Sequence, residues 1–243
     1  MSVDDELRLA LASLPAKPAD EAPASDKKRY SELMSQGFAL CLAADMRRRG
    51  MAGTQPAEGP AGVAGAERRM SGGIGAKQVD VTWATEESGL LLAASVKTIN
   101  FRDSRSGNYQ KNLANRRGDM LFEAVTLHRR FPFAVLGGFL VLDEGARHDA
   151  TPRRRSTFDN AHRLLRMFTG RADPAGREEQ YEALFVVLVN PGEVPPFTQV
   201  YLVGQPEREV GLAGAVDRLA ELAGERNPDF YEAEAGLVRT ARS

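Results

Sequence analysis

A chain of 243 residues with 42% hydrophobic content can bury a sizeable core, and its one cysteine, Cys41, excludes an intrachain disulfide framework. No run of eighteen consecutive apolar residues occurs, which excludes a membrane-spanning helix. The formal net charge of −1 conceals an asymmetry of −4 over residues 1–26, +9 over 27–170 and −6 over 171–243, and a basic middle suits a polyanion-binding surface as well as a plain solvated one.

The start, MSVDDELRLALASLPAKPADEAPAS, is acidic where a signal peptide needs a basic flank, so a reducing cytoplasm with no membrane partner is the expected setting. Residues 1–26, rich in Ala, Pro and Asp, read as a flexible N-terminal arm with at most a short helix near Glu6 to Ser13. Residues 27–243 read as one domain. From Lys28 to Arg49, apolar Leu33, Met34, Phe38, Cys41, Leu42 and Met46 recur at helical spacing, Arg47 to Arg49 complement the dipole of the last turn, and Gly50 ends the helix. The Gly/Ala/Pro-rich stretch at 50–76 predicts a long loop. Its GGIGAK, near Gly72, lacks the preceding strand and following Lys-Ser/Thr of a phosphate loop.

Strands are expected at Gln78 to Trp83 and Leu90 to Phe101, joined by a turn at Glu87, Ser88 and Gly89. A helix near Asp119 to Arg130 follows, with Met120, Leu121, Ala124, Val125 and His128 along one stripe and His128 packing on the helix face. FAVLGGFLVLD is a buried strand by its continuous apolar run. A helix near Thr157 to Thr169, strands near Leu184 to Val189 and Gln199 to Val203, and a helix near Ala213 to Gly224 complete the chain. This order predicts an α/β fold with a mixed central sheet flanked by helices.

Alternation along the second strand puts Ala93, Ser95, Lys97 and Ile99 on one face. A lysine inside an apolar strand is costly to desolvate unless an anion pairs with it, and Asp80 on the preceding strand is the nearest candidate by chain distance. The bland alternative is a structural Asp80–Lys97 ion pair at a sheet edge.

An aspartate on one strand, a short turn, then a strand ending in a polar residue, one spacer and Lys, followed by a helix and a buried strand, resembles the PD-(D/E)xK nuclease superfamily. The resemblance covers roughly Gln78 to Asp143 and implies a restriction-endonuclease-like fold. It matches Asp80 to the first metal-binding acid and Lys97 to the lysine that helps activate water. It departs at the second acid, where this chain has Ser95 in SVK, and at the residue before Asp80, which is Val79 rather than proline. Some restriction enzymes of the superfamily carry Ser at that position and supply the carboxylate from the next helix. Here that helix offers Glu123, with Asp119 one turn earlier and Glu32 on the first helix as fallbacks. The plain alternative for Glu123 is a solvent-facing acid near a helix start.

Phosphodiester hydrolysis needs charge neutralisation on the phosphate, hydroxide near neutral pH and stabilisation of the leaving oxygen. Mg²⁺, or Mn²⁺, held by Asp80 and Glu123 can supply these, with Lys97 adding positive charge. The segment NFRDSRSGNYQKNLANRRGD combines Asn100, Arg102, Arg105, Asn112, Arg116 and Arg117, types that clamp phosphates and read purine edges, with Tyr109 as a stacking group; the alternative is a polar connector. The RRR runs at Arg47 and Arg153 suit a DNA backbone or an ordinary surface. The resemblance thus implies a metal-dependent endonuclease acting on double-stranded DNA, in restriction or phage defence, and cutting both strands is compatible with a homodimer. The alternative is a catalytically inactive DNA- or phosphate-binding module that keeps the fold after loss of a metal ligand at Ser95.

Overall fold

The computed structural model describes residues 1–57, 68–71 and 76–241. The glycines of GGIGAK at 72–75 lie outside the described residues. Among the described residues, five α-helices, α1 (Val3–Ala12), α2 (Ala24–Arg48), α3 (Leu113–His128), α4 (Thr157–Leu165) and α5 (Gly211–Arg226), accompany a five-stranded sheet. Its strands are β3 (Val81–Thr85), β4 (Gly89–Ile99), β5 (Val135–Asp143), β6 (Ala183–Asn190) and β7 (Phe197–Leu202), in the order β3-β4-β5-β6-β7. β4, β5 and β6 run parallel, and β3 and β7 flank them antiparallel, so the sheet is mixed. Two hairpins stand apart: β1 (Arg68–Ser71) with β2 (Ala76–Val79), and β8 (Tyr231–Glu234) with β9 (Leu237–Thr240).

Strand alternation divides the core into two layers. Leu92, Ala94, Val96, Phe139 and Val187 face a layer built with α1, α2 and α5. Ala93, Ile99, Leu136, Leu140 and Val186 face α3 and α4. Helices press closely on β5 at two consecutive glycines. A Cβ on Gly137 would stand 2.7 Å from Leu219 of α5, and one on Gly138 would stand 2.7 Å from the Met120 methyl of α3.

Several sequence expectations are corrected. Within the stretch expected to be an arm, Val3, Leu7 and Leu11 of α1 lie one turn apart and are buried in the main core. Asp4 accepts the Leu212 and Ala213 N–H groups at the start of α5, capping that helix from a distance in sequence. The loop expected at 50–76 contains β1 and ends in the first residue of β2. α3 begins at Leu113, so Arg116 and Arg117 sit on its first turns and not in a connector. The run Arg47 to Arg49 is structural: Arg47 donates to the Thr54 and Pro56 carbonyls, Arg48 pairs with Glu6 and Asp45, and Arg49 pairs with Asp45 and Asp217. No described helix is long and apolar enough to cross a membrane.

Candidate active site

The strand expected from Gln78 to Trp83 is interrupted at Asp80, a bend between β2 and β3. Here the chain leaves one pairing for another. β3 follows β4 only as far as Val81 opposite Ala94, so the Val96 N–H has no β3 partner. Asp80 supplies one: its Oδ2 accepts the Val96 N–H at 2.7 Å. A carboxylate thus takes the place of a ladder carbonyl and is fixed beside the next residue, Lys97.

Lys97 Nζ lies 3.6 Å from Asp80 Oδ2 and 3.3 Å from Glu123 Oε2. Glu123 is on the sheet-facing side of α3 and is 1% exposed, which disposes of the solvent-facing alternative. Asp80 is buried as well, and the Lys97 side chain retains 17% exposure. Burial works against the ammonium, but the charges of Glu123 and then Asp80 outweigh it and raise the Lys97 pKa above the ordinary lysine value. Lys97 therefore stays cationic at neutral pH. The fallback Asp119 is exposed and pairs with Arg116 at 3.4 Å, not with Lys97. Glu32 is exposed and 3.7 Å from Lys28, on the wall of the same cleft.

Asp80 and Lys97 lie in a cleft of about 620 Å³ between α2, the end of β4 and the segment leading into α3. Cations from opposite walls line it: Lys27 and Lys28 on α2, Arg102, Lys111 and Arg116 across from them. The two lysines open a basic run, DKKR, that sequence reading left within an ordinary helix. Asn100 Nδ2 donates to Ser31 Oγ at 3.1 Å, tying β4 to α2 at the cleft wall. Arg102 stacks its guanidinium over Tyr109 at 5.4 Å, and Asn112 is exposed on the lining. Arg116 Nε reaches the Thr98 carbonyl at 3.4 Å. Arg105 and Arg117 are not among the lining residues. Tyr109 is not an exposed stacking group. It is buried, and its hydroxyl donates to Asp143 Oδ1 at 2.6 Å, which with burial pushes its pKa well up.

His128 packs into the fold as expected, with Nδ1–H donating to the Glu178 carbonyl at 2.9 Å and Nε2 3.3 Å from Glu182. One residue that sequence reading missed lies behind the carboxylates. Tyr181, two residues before β6, is fully buried, and burial followed by the charges of Glu123 and Asp80 raises its pKa far above the usual value. A lone tyrosine before an apolar run carries no sequence signal of such a position.

Two carboxylates flank Lys97, of which Asp80 lines the cleft and Glu123 lies behind it, and the described residues lining the cleft include no histidine or cysteine, so the oxygen ligands at hand are of the kind Mg²⁺ or Mn²⁺ would take. No family model, curated protein or solved structure matches the chain.

Proposed function

We propose that this chain is a metal-dependent endonuclease of restriction-endonuclease-like fold that hydrolyses phosphodiester bonds in double-stranded DNA. The observation that carries the reading is the convergence of Asp80 and Glu123 on Lys97 beside a cleft walled by cations. The order α2, β3, β4, α3, β5, with an antiparallel β3–β4 pair and a parallel return to β5, is compatible with that fold. A role in restriction or phage defence and a homodimer cutting both strands belong to the same proposal.

Asp80 and Glu123 would hold Mg²⁺ or Mn²⁺, which when bound supplies charge neutralisation at the phosphate and a water acidic enough to attack near neutral pH. The chain's own groups do the rest. Lys97, within reach of both carboxylates and partly open to the cleft, is the cationic group of the site. Its place is beside the oxygen on which negative charge builds as the new P–O bond forms and the old one breaks. Asp80 is oriented by the Val96 N–H, so its carboxylate does not swing away from Lys97. Lys28 and Arg116, on opposite walls, would hold phosphates on either side of the scissile one.

The test is a cleavage assay of plasmid and phage DNA with Mg²⁺, with Mn²⁺ and with EDTA. Cutting that requires either metal and disappears with Glu123→Gln supports the reading. A protein that binds DNA but is inert with both metals supports the binding-module alternative, for which the specific observation is that Lys97 already pairs with both carboxylates and offsets one of their two charges without metal.

A further inference from the structure

Glu123 reaches Lys97 only when α3 sits at one height and one rotation on the sheet. Two consecutive residues grip that helix on either side of Glu123. Tyr181 donates its hydroxyl to the Met120 carbonyl at 3.1 Å, one turn before Glu123. Glu182 lies 3.3 Å from Nε2 of His128, beyond Glu123 toward the helix C-terminus. Glu182 is itself fixed, accepting the Leu136 N–H of β5 at 2.7 Å and Arg171 at 2.9 Å. The helix is therefore referenced to the sheet, on which Lys97 also stands.

The space for the phenol comes from two small residues. Ser95 of β4 and Gly138 of β5 are register partners and face the same side. A Cβ at Gly138 would stand 3.3 Å from the Tyr181 ring and 2.7 Å from the Met120 methyl. The ring thus occupies the layer above Gly138, beside the face from which residue 95 projects. A glutamate at 95 would extend into that layer, where serine leaves room.

We infer that Tyr181 is the positioning residue for the relocated acid: it sets α3, and with it Glu123, over Lys97, in a space left open by Ser95 and Gly138. The inference rests on the reading of Asp80, Lys97 and Glu123 as one site. Ser95 is then no lost ligand but one part of an exchange, in which the strand gives up the acid, the phenol fills its layer, and the helix returns the carboxylate. The Met120 carbonyl can only accept, so the phenol is the donor in this contact.

Tyr181→Phe removes the hydroxyl and keeps the ring. In a double-mutant cycle with Glu123→Gln on the full chain, measured by urea unfolding, the two changes are expected to be non-additive by about threefold or more in the unfolding equilibrium constant. Calorimetric titration with Mn²⁺ is expected to show binding weakened roughly tenfold by Tyr181→Phe, a loss typical of outer-shell partners, with no further loss when it is added to Glu123→Gln. Additive unfolding, or Mn²⁺ affinity unchanged by Tyr181→Phe in a chain that binds the ion, overturns the inference. A wild-type chain that takes up no Mn²⁺ overturns the metal reading instead, and the unfolding cycle then decides the positioning role alone.

Discussion

Glu123 Oε2 stands 3.3 Å from Lys97 Nζ, a buried acid from the helix that follows β4 meeting the lysine set between Ser95 and Ile99 on one face of that strand. With Asp80 on the other side, one ammonium holds two carboxylates out of water. Breaking such a group by removing one member is costly, because it strands a charge.

Lys97→Met is accordingly expected to destabilise the fold by roughly 3 kcal/mol at neutral pH. Because the folded pKa of Lys97 is raised, its contribution is fully present below the unfolded value near 10.5 and is lost as pH rises through the higher folded value. Asp80→Asn is the milder probe, since an amide oxygen still accepts the Val96 N–H. It is expected to keep the fold and lose activity by on the order of 100-fold or more, comparable to deleting one preorganised electrostatic group. Urea denaturation at two pH values and plasmid cleavage check both statements; a fully active Asp80→Asn enzyme would remove Asp80 from the site.

How far the sequence carried this reading is clearest at single residues. Met34, Phe38 and Leu42 of α2 announce a buried stripe by their spacing, and Lys97 announces a buried anion by its cost, so helix, strand and ion pair were legible. α1 was legible only as a short helix near Glu6 to Ser13, and its docking was not, although Val3, Leu7 and Leu11 carry the same spacing, because acid-rich Ala/Pro composition argued for disorder while its partner, the start of α5, lies far along the chain. Asp80 read as a strand residue because its bend depends on which strand each side of it pairs with, a non-local choice. The β8–β9 hairpin escaped notice because its strands are short and largely exposed, and its turn passes through Ala235 at φ 48° and Gly236 at φ 73°.

The polar segment after Lys97 divides into cleft and non-cleft cations, and binding should follow that division. Lys28→Ala with Arg116→Ala, from opposite walls, is expected to weaken duplex binding and to flatten the log–log salt slope by about 0.9 for each phosphate no longer neutralised. Arg105→Ala with Arg117→Ala should leave the slope nearly unchanged, as neither lines the cleft. Fluorescence anisotropy across a salt series, with Asp80→Asn added to prevent cutting, measures both. Equal effects from the two pairs would mean that the cleft does not define the DNA path.

Stability in acid should be governed in part by His162. It is buried between Phe158 and Tyr201, its Nδ1 accepts the Gly204 N–H at 3.1 Å, and burial lowers its pKa from 6.5 to about 4. The unfolded chain therefore binds a proton that the folded chain refuses between those values, so stability falls as pH drops from 6.5 toward 4. A gap of that size is worth on the order of 3 kcal/mol. His162→Gln should remove most of the slope in urea midpoint over this window, at some cost at neutral pH from poorer packing. A wild-type midpoint that is flat from pH 7 to about 4 would contradict the buried neutral imidazole.

The relocated acid allows the most direct test. Glu123→Ala is expected to lose metal binding and cleavage nearly as completely as loss of Asp80, whereas Ser95→Ala, at a buried position that supplies no carboxylate, should cost far less. Ser95→Glu with Glu123→Ala returns the acid to the strand face that carries Lys97. The packing adds a condition. The Tyr181 ring lies over Gly138, the register partner of Ser95, so the new side chain enters an occupied layer, and recovery should be partial and accompanied by a lower Tm. Replacing Tyr181 by Leu in the same chain makes room, and activity should rise above that of the two-site variant, although the same change in the wild-type background removes the hydroxyl that holds α3 and lowers activity. Opposite signs for one substitution in two backgrounds would tie Ser95, Tyr181 and Glu123 together as a single exchange. The same sign in both would leave Glu123 as a carboxylate that happens to lie beside a lysine.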